Sequence, residues 1–154
     1  MSGKLRVFRV EVPVNYDQAW ADAIRLGAPN TGSGSYIHRV GDQFPTDQKG
    51  TVTEKIRWVQ FGSSYRHQVA LDYAKDEKIA HVHPRGTFAT TEHHPKIADE
   101  QGEDYMYLNS ALTCTVGGFV FVPHVGCHRG GVRYAGTYVV QLGFHGFSWF
   151  GFRE

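Results

Sequence analysis

The sequence is poor in cysteine and has no long apolar run. Its 154 residues include two cysteines, Cys114 and Cys127, too few for the disulfide framework of a small secreted domain. No run of about 18 apolar residues occurs, which argues against a membrane span. The first residues lack the apolar core of a signal peptide. We therefore expect a cytoplasmic protein, and one bridge between the two cysteines stays an open alternative.

A surplus of charge of one sign is also missing. The chain has 16 Lys and Arg residues against 15 Asp and Glu residues, so its net charge is +1 with histidine neutral. No basic stripe emerges along the chain, and the electrostatic footprint of a nucleic-acid binder is therefore absent. We therefore do not expect a nucleic-acid partner, and a protein partner or a small ligand stays open.

Glycine and aromatic side chains, by contrast, are abundant. The chain contains 18 glycines, and Phe, Trp and Tyr make up 14% of its residues. Aromatic residues favour strands, and glycine favours tight turns. A chain of this length can form one domain with a substantial core. We predict an α+β fold in a single globular domain over 1–154, with a mainly antiparallel sheet, two main helices in the first half and a β-rich second half.

Hydrophobic periodicity divides the first half into alternating strands and helices. The predicted elements are strands over 4–14, 36–40 and 51–61, and helices over 16–26 and 65–75. Asn15 is a natural N-cap for the first helix, and Gly27 is expected just beyond its end. The polar segments between these elements are predicted loops.

Glu54 is the most informative acidic residue. Alternation in the strand over 51–61 puts it on the same face as Ile56 and Trp58. A buried carboxylate needs a partner, so Glu54 is a candidate general base or a group beside a metal. The alternative is a position near the open end of the strand, where the carboxylate needs no partner.

The segment over 79–95 holds four of the nine histidines. Residues 79–83 are predicted to form a short strand, which Pro84 ends because proline cannot donate to the ladder. Side chains two residues apart on a strand share a face, so His81 and His83 would lie roughly 6–7 Å apart at their base. Two imidazoles so placed could bind one metal ion.

Further ligands could come from the next few residues. Thr90 or Thr91 could cap a helical turn whose first residues are 92–94, which would bring His93 or His94 back toward the pair. Zinc takes nitrogen and oxygen ligands and activates a bound water when one coordination position stays open. The alternative is that these histidines are polar surface, or buried and hydrogen-bonded within the protein.

The His-x-His-Pro sequence over 81–84 resembles the start of the JAMM metalloprotease motif. In that family a Ser and an Asp follow the Pro by seven and ten positions, where this chain has Thr91 and His94. The family also needs a Glu on an upstream strand, and Glu54 is the candidate here. The resemblance implies metal-activated hydrolysis, but two of its motif residues are replaced.

The second half is predicted to consist of strands. The strand-like segments are 105–108, 111–116, 119–123, 132–142 and 144–152. Gly117 and Gly118 mark a hairpin between two apolar runs. The final segment is too apolar for a free tail, so we expect a core strand with Trp149 and Phe150 on opposite faces.

A second candidate metal site lies in the turn predicted over 126–131. Cys127 and His128 fall in this turn, and His124 lies just before it. One thiolate and two imidazoles are suitable zinc ligands. The paired Cys-x2-Cys spacing of structural zinc sites is absent, and the alternative is a polar hairpin tip.

A longer resemblance covers about seventy residues. The segment over 84–95 is similar to a Pro-Arg-x-x-Phe-Ala-x-x-Glu-His-x-Pro element of small proteins encoded by uncultivated bacteria, which have no assigned activity. In those proteins several strands and a Trp-Phe-x-Phe-Arg ending follow, which this chain has at 149–153. The resemblance implies that Phe88 is a core residue and that Glu92 and His93 brace a turn.

Two functions remain. The first is a non-enzymatic binding or assembly module that presents sheet aromatics and loop residues to a protein partner or a small ligand. The alternative is a zinc-dependent hydrolase with His81 and His83, one of His93 or His94, and Glu54 as base. We favour the binding module because it requires fewer coincidences of geometry.

Overall fold

The computed structural model describes residues 5–154. Four helices and ten strands follow one another along the chain: β1 (Arg6–Asn15), α1 (Trp20–Gly27), β2 (Thr51–Gln60), β3 (Ser64–Tyr65), α2 (His67–Glu77), β4 (Ala80–His81), α3 (Pro84–His93), α4 (Ile97–Glu100), β5 (Tyr105–Asn109), β6 (Cys114–Val116), β7 (Phe119–His128), β8 (Arg133–Val139), β9 (Phe144–His145) and β10 (Ser148–Arg153). This arrangement confirms the predicted α+β class. Lys4, where we expected the first strand to begin, lies outside the described residues.

Eight of the strands form one sheet. Its main order is β1-β2-β10-β5-β7-β6, while β4 pairs with β10 and β8 pairs with β7. All pairs are antiparallel except β10 with β5. The last strand of the chain therefore lies at the centre of the sheet, between β2 and β5. Strands β3 and β9 form a separate two-stranded sheet.

Each face of the sheet carries its own core. The first core packs α1 and α3 against Val12, Trp58 and Trp149. The second packs α2 against Phe150 and Phe152. Adjacent residues of a strand point to opposite faces, so Trp149 and Phe150 fall in different cores, which confirms the prediction for the last strand. Full burial of side chains of this size stabilises the fold by about 1.5–3 kcal/mol each.

The first helix is shorter than predicted. Asn15 does act locally, because its Oδ1 accepts from the Asp17 N–H, but the turn it forms precedes a helix that begins only at Trp20. Gly27 is the last helical residue rather than a residue beyond the end. A Cβ at position 27 would lie 2.5 Å from the carbonyl oxygen of Phe88, so this glycine allows α1 and α3 to approach closely.

The strand predicted over 36–40 is wrong. Residues Tyr36–Arg39 form a 3-10 helix, which begins because the Ser35 hydroxyl accepts from the Ile37 N–H. Ile37 is buried, and it would be buried in a strand as well as in a short helical turn. The hydrophobic pattern of only five residues does not distinguish these two structures. None of the helices within residues 5–154 is long and apolar enough to cross a membrane.

Candidate ligand-binding site

The predicted pair of imidazoles does not form, because β4 ends at His81. The His81 ring lies 5.7 Å from the Phe152 ring, in the core beneath α2. His83 instead caps α3 and contacts Tyr16 and Phe44 in the other core. Alternation of side chains stops where the strand stops, so the rule that placed the two rings on one face does not reach His83.

Both nitrogens of His83 are occupied. Its Nδ1 accepts a hydrogen bond from the Arg85 N–H at 3.1 Å, so the neutral ring carries its proton on Nε2. That Nε2–H donates to the Phe44 carbonyl oxygen at 2.8 Å. Burial lowers the pKa of His83, which keeps the ring neutral. Neither nitrogen has a lone pair left for a metal ion.

The remaining predicted ligands lie at the far end of α3. Pro84 starts this helix instead of leading to a later one, and the hydroxyls of Thr90 and Thr91 donate to carbonyls of the preceding turn. His93 lies 3.6 Å from the Glu92 carboxylate, and the His94 ring lies 3.3 Å from Glu100. The predicted capping by Thr90 or Thr91 is therefore wrong.

A metal centre has no support in the geometry. Among residues 5–154, no three His, Cys, Asp or Glu side chains converge closely enough to hold an ion. This applies also to the candidate group at the end of β7, where Cys127 points into the first core while His124 and His128 point to the other face. Cys114 and Cys127 are both buried free thiols.

Glu54 is buried, as alternation predicted, and it has partners. The residue is 3% exposed, its Oε2 accepts a hydrogen bond from the Tyr16 hydroxyl, and the Arg153 guanidinium lies 3.7 Å away. Burial and the neighbouring carboxylate raise the pKa of Tyr16. The alternative of an open strand end is wrong. A role for Glu54 as a general base stays a prediction, and its observed contacts brace the loop before α1 against β2.

A different part of the molecule gathers side chains that could bind a ligand. Strands β5, β7 and β8 carry Tyr, His and Asn residues on the sheet face of the second core, beyond the part of that face against which α2 packs. The pairing of Tyr107 with Gly126 and of Gly126 with Tyr134 places these residues on a common face. A Cβ on Gly126 would lie 2.5 Å from the Tyr134 ring, so the glycine leaves room for the ring to lie across the strand.

These side chains enclose a cavity of about 150 Å³. We name it the aromatic–histidine cavity, and seven residues line it: Tyr107, Asn109, His124, Tyr134, Tyr138, His145 and Ser148. The ring centroids of Tyr107 and His124 are 5.3 Å apart in an edge-to-face arrangement, and those of Tyr107 and His145 are 5.7 Å apart. A cavity of about this volume holds a benzene-sized molecule.

The polar groups of the cavity are held in place by their surroundings. Asn109 is buried and donates from Nδ2 to the Trp149 carbonyl oxygen at 2.8 Å, which leaves its Oδ1 as an acceptor. The Nδ1 of His145 accepts from the Phe147 N–H, so a neutral His145 ring offers an N–H donor at Nε2. The hydroxyls of Tyr134 and Tyr107 lie 3.4 Å apart. The cavity therefore has both donors and acceptors.

Burial shifts the pKa values of two cavity residues, His124 and Tyr134. The Nδ1 of His124 is sealed from solvent and has no hydrogen-bond partner among residues 5–154. Burial lowers the pKa of His124 to about 4, so the ring is neutral near pH 7. Burial also raises the pKa of Tyr134, with help from the Tyr107 hydroxyl. The His124 and Tyr134 rings are consequently aromatic and uncharged near pH 7, and they suit a neutral planar molecule better than an ion.

This site was not predicted from the sequence. We expected His124 to lie beside a turn, whereas β7 runs on to His128. The available signal was a repeat at every second position on three neighbouring strands: Tyr105, Tyr107 and Asn109; His124, Gly126 and His128; Tyr134, Gly136 and Tyr138. Recognising it required the pairing of the three strands, which no single segment of the sequence specifies.

Comparison with known proteins identifies no relative. No protein-family model matches the chain, and no curated protein sequence or solved structure matches it significantly. The resemblance to small proteins of uncultivated bacteria stays a prediction.

Proposed function

We propose that the protein is a non-enzymatic binding module that holds a small, neutral, single-ring molecule in the aromatic–histidine cavity. The observation that carries this proposal is the combination of aromatic walls with hydrogen-bond donors and acceptors that their neighbours hold in place. Ligand sites are typically concave and largely apolar, with a few well-placed polar groups that set orientation. A neutral site also disfavours ions, because a charge loses its hydration on entering it.

The ligand we infer is a planar ring with an N–H donor next to a carbonyl acceptor. Such a molecule would stack within the aromatic walls, accept from the His145 Nε2–H and donate to the Asn109 Oδ1. For a molecule of this size we expect a dissociation constant of about 1 mM. The site of action we propose is the cytoplasm, with which two free thiols are compatible.

The zinc-dependent hydrolase is not carried forward. His81 and His83 lie in different cores, and both nitrogens of His83 already have partners. No other observation on the described part of the chain favours hydrolysis. The binding module needs no further group beyond those that line the cavity.

A titration with 2-pyridone, followed by amide and aromatic NMR shifts, tests the proposal. We expect saturable shifts for the cavity residues, with tighter binding than for benzene, which has the ring but not the polar groups. His124→Phe should weaken binding, because it replaces a neutral polar ring of the cavity wall with a larger apolar one. His128→Phe is the matched control, since His128 lies on the same face of β7 but does not line the cavity.

Two results would overturn the proposal. One is the absence of saturable shifts at ligand concentrations well above 1 mM. The other is an equal loss of affinity in the His124→Phe and His128→Phe variants, which would place the ligand elsewhere on this face.

A further inference from the structure

A second cavity, on the opposite side of the sheet, contains an arginine without an acidic partner. Arg85 is in the first turn of α3, and its guanidinium lies 5.7 Å from the centre of the Trp20 ring. One of its terminal nitrogens donates to the Gln18 carbonyl oxygen at 2.5 Å. The guanidinium has five N–H donors, so this contact and the ring leave most of its hydrogen-bonding capacity unused.

No carboxylate compensates the charge of Arg85. The ion pairs of residues 5–154 involve other arginines and histidines but not this one. The side chain is half-buried, and its burial lowers the pKa of Arg85. A partly desolvated charge is costly unless it is paired. Its position at the N-terminus of α3 adds a further unfavourable interaction with the helix dipole.

The free side of Arg85 faces a cavity of about 180 Å³ between β1, α1 and α3. Asn15 and Gln18 line the same cavity, and the Oδ1 of Asn15 is already occupied by the Asp17 N–H. The Asn15 amide therefore offers its NH2 group. Phe88 and Ala89 supply an apolar wall. The cavity combines a cation and amide donors at one side with space for a small apolar group at the other.

Glu92 restricts the charge of the ligand. It is the acidic residue lining this cavity, and it lies two turns from Arg85 on α3, about 10 Å along the helix axis. Its contact with His93 is a long 3.6 Å. Coulomb repulsion is proportional to the ligand's charge, so this carboxylate opposes a doubly charged anion on Arg85 about twice as strongly as a singly charged one.

From these observations we propose that the cavity binds a small organic monocarboxylate. The carboxylate would pair with the Arg85 guanidinium, whose planar fork matches carboxylate geometry, and the apolar tail would rest on Phe88 and Ala89. Inorganic phosphate offers the same fork contacts but carries more charge, and Glu92 disfavours it. This site is separate from the aromatic–histidine cavity and does not depend on its ligand.

A titration with sodium propionate tests this site, with sodium chloride and inorganic phosphate at equal ionic strength as comparisons. The amide signals of Phe88 and Ala89 should shift saturably with propionate. Arg85→Gln should weaken propionate binding roughly tenfold or more, the effect of a lost hydrogen bond to a charged group. Arg66→Gln, which removes an exposed arginine outside the cavity, should leave binding unchanged.

Glu92→Gln gives an independent variant that keeps Arg85 in place. It should tighten propionate binding roughly two- to fivefold and improve phosphate binding as well, because it removes a like charge at moderate distance. Three outcomes would overturn the proposal: shifts equal to those from chloride, binding retained in a folded Arg85→Gln variant, or unchanged affinity in Glu92→Gln. Phosphate binding more tightly than propionate to the parent protein would refute the choice of a monocarboxylate.

Discussion

Two histidine-bearing strands of this protein differ in length, and therefore in where each strand ends relative to its histidines. In β7 the chain stays extended to His128, so His124 shares a face with it and lines an open cavity. In β4 the strand ends at His81, and His83 becomes a helix cap in the opposite core. Spacing predicts a shared face only while the strand continues. The length of a strand therefore decides whether neighbouring histidines can act together.

Strand β10 supports both regions, so its removal should have the largest effect. It pairs with β4 through Phe152 and with β5 through residues 148–150. Deletion of residues 147–154 also removes Phe150 and Phe152, both fully buried. We expect loss of cooperative folding, measured by thermal denaturation and circular dichroism. A truncated protein that still melts cooperatively near the parent temperature would contradict the central position of this strand.

Replacing His81 and His83 separately by phenylalanine tests whether the two histidines contribute differently to stability. His83→Phe removes a helix cap and leaves the Phe44 carbonyl unpaired, which should cost about 2–4 kcal/mol of unfolding free energy. His81→Phe should change it by less than about 1 kcal/mol, because the His81 Nδ1 is buried without a partner. Urea denaturation at pH 8, where both rings are neutral, measures the difference. Equal losses of unfolding free energy in the two variants would contradict the different roles of His81 and His83.

The unfolding free energy should depend on pH in the acid range, and His124 should contribute to that dependence. Its pKa falls from 6.5 to about 4 on folding, so the unfolded chain binds its proton first. The stabilisation is present above pH 6.5 and is lost as the pH falls toward 4, by about 3 kcal/mol in total. His81 and His83 also have lowered pKa values and act in the same direction.

The pH dependence of His124→Phe provides the check. Between pH 6.5 and 4, unfolding free energies from urea denaturation should fall less steeply for this variant than for the parent protein. His128→Phe should keep the parent slope. Identical slopes for the parent and His124→Phe would show that the ring of His124 is accessible to protons in the folded protein.

Several features of the fold could be predicted from local patterns. Alternation found β1, β2 and the buried position of Glu54, and the apolar ending indicated a core strand. These features depend on one segment at a time. The sequence alone did not show that Pro84 starts a helix instead of ending a strand. Proline is common both at the end of a strand and in the first turn of a helix, so its presence does not decide between the two.

The candidate site could not be predicted in the same way. Asn109, His124 and Ser148 come from three strands that meet only through the parallel pairing of β10 with β5 and the antiparallel pairing of β5 with β7. Glu54 shows the intermediate case, since alternation predicted its burial but not its partners Tyr16 and Arg153. Burial follows from local sequence, whereas the assembly of a cavity follows from strand order.

The most direct test compares the two groups of histidines in one experiment. Ring signals of all histidines are followed by NMR while 2-pyridone is added near neutral pH. We predict saturable shifts for His124 and His145, which line the aromatic–histidine cavity, and unchanged signals for His81 and His83. Shifts confined to His81 and His83, or no saturable shift at either cavity histidine, would contradict the proposed binding site.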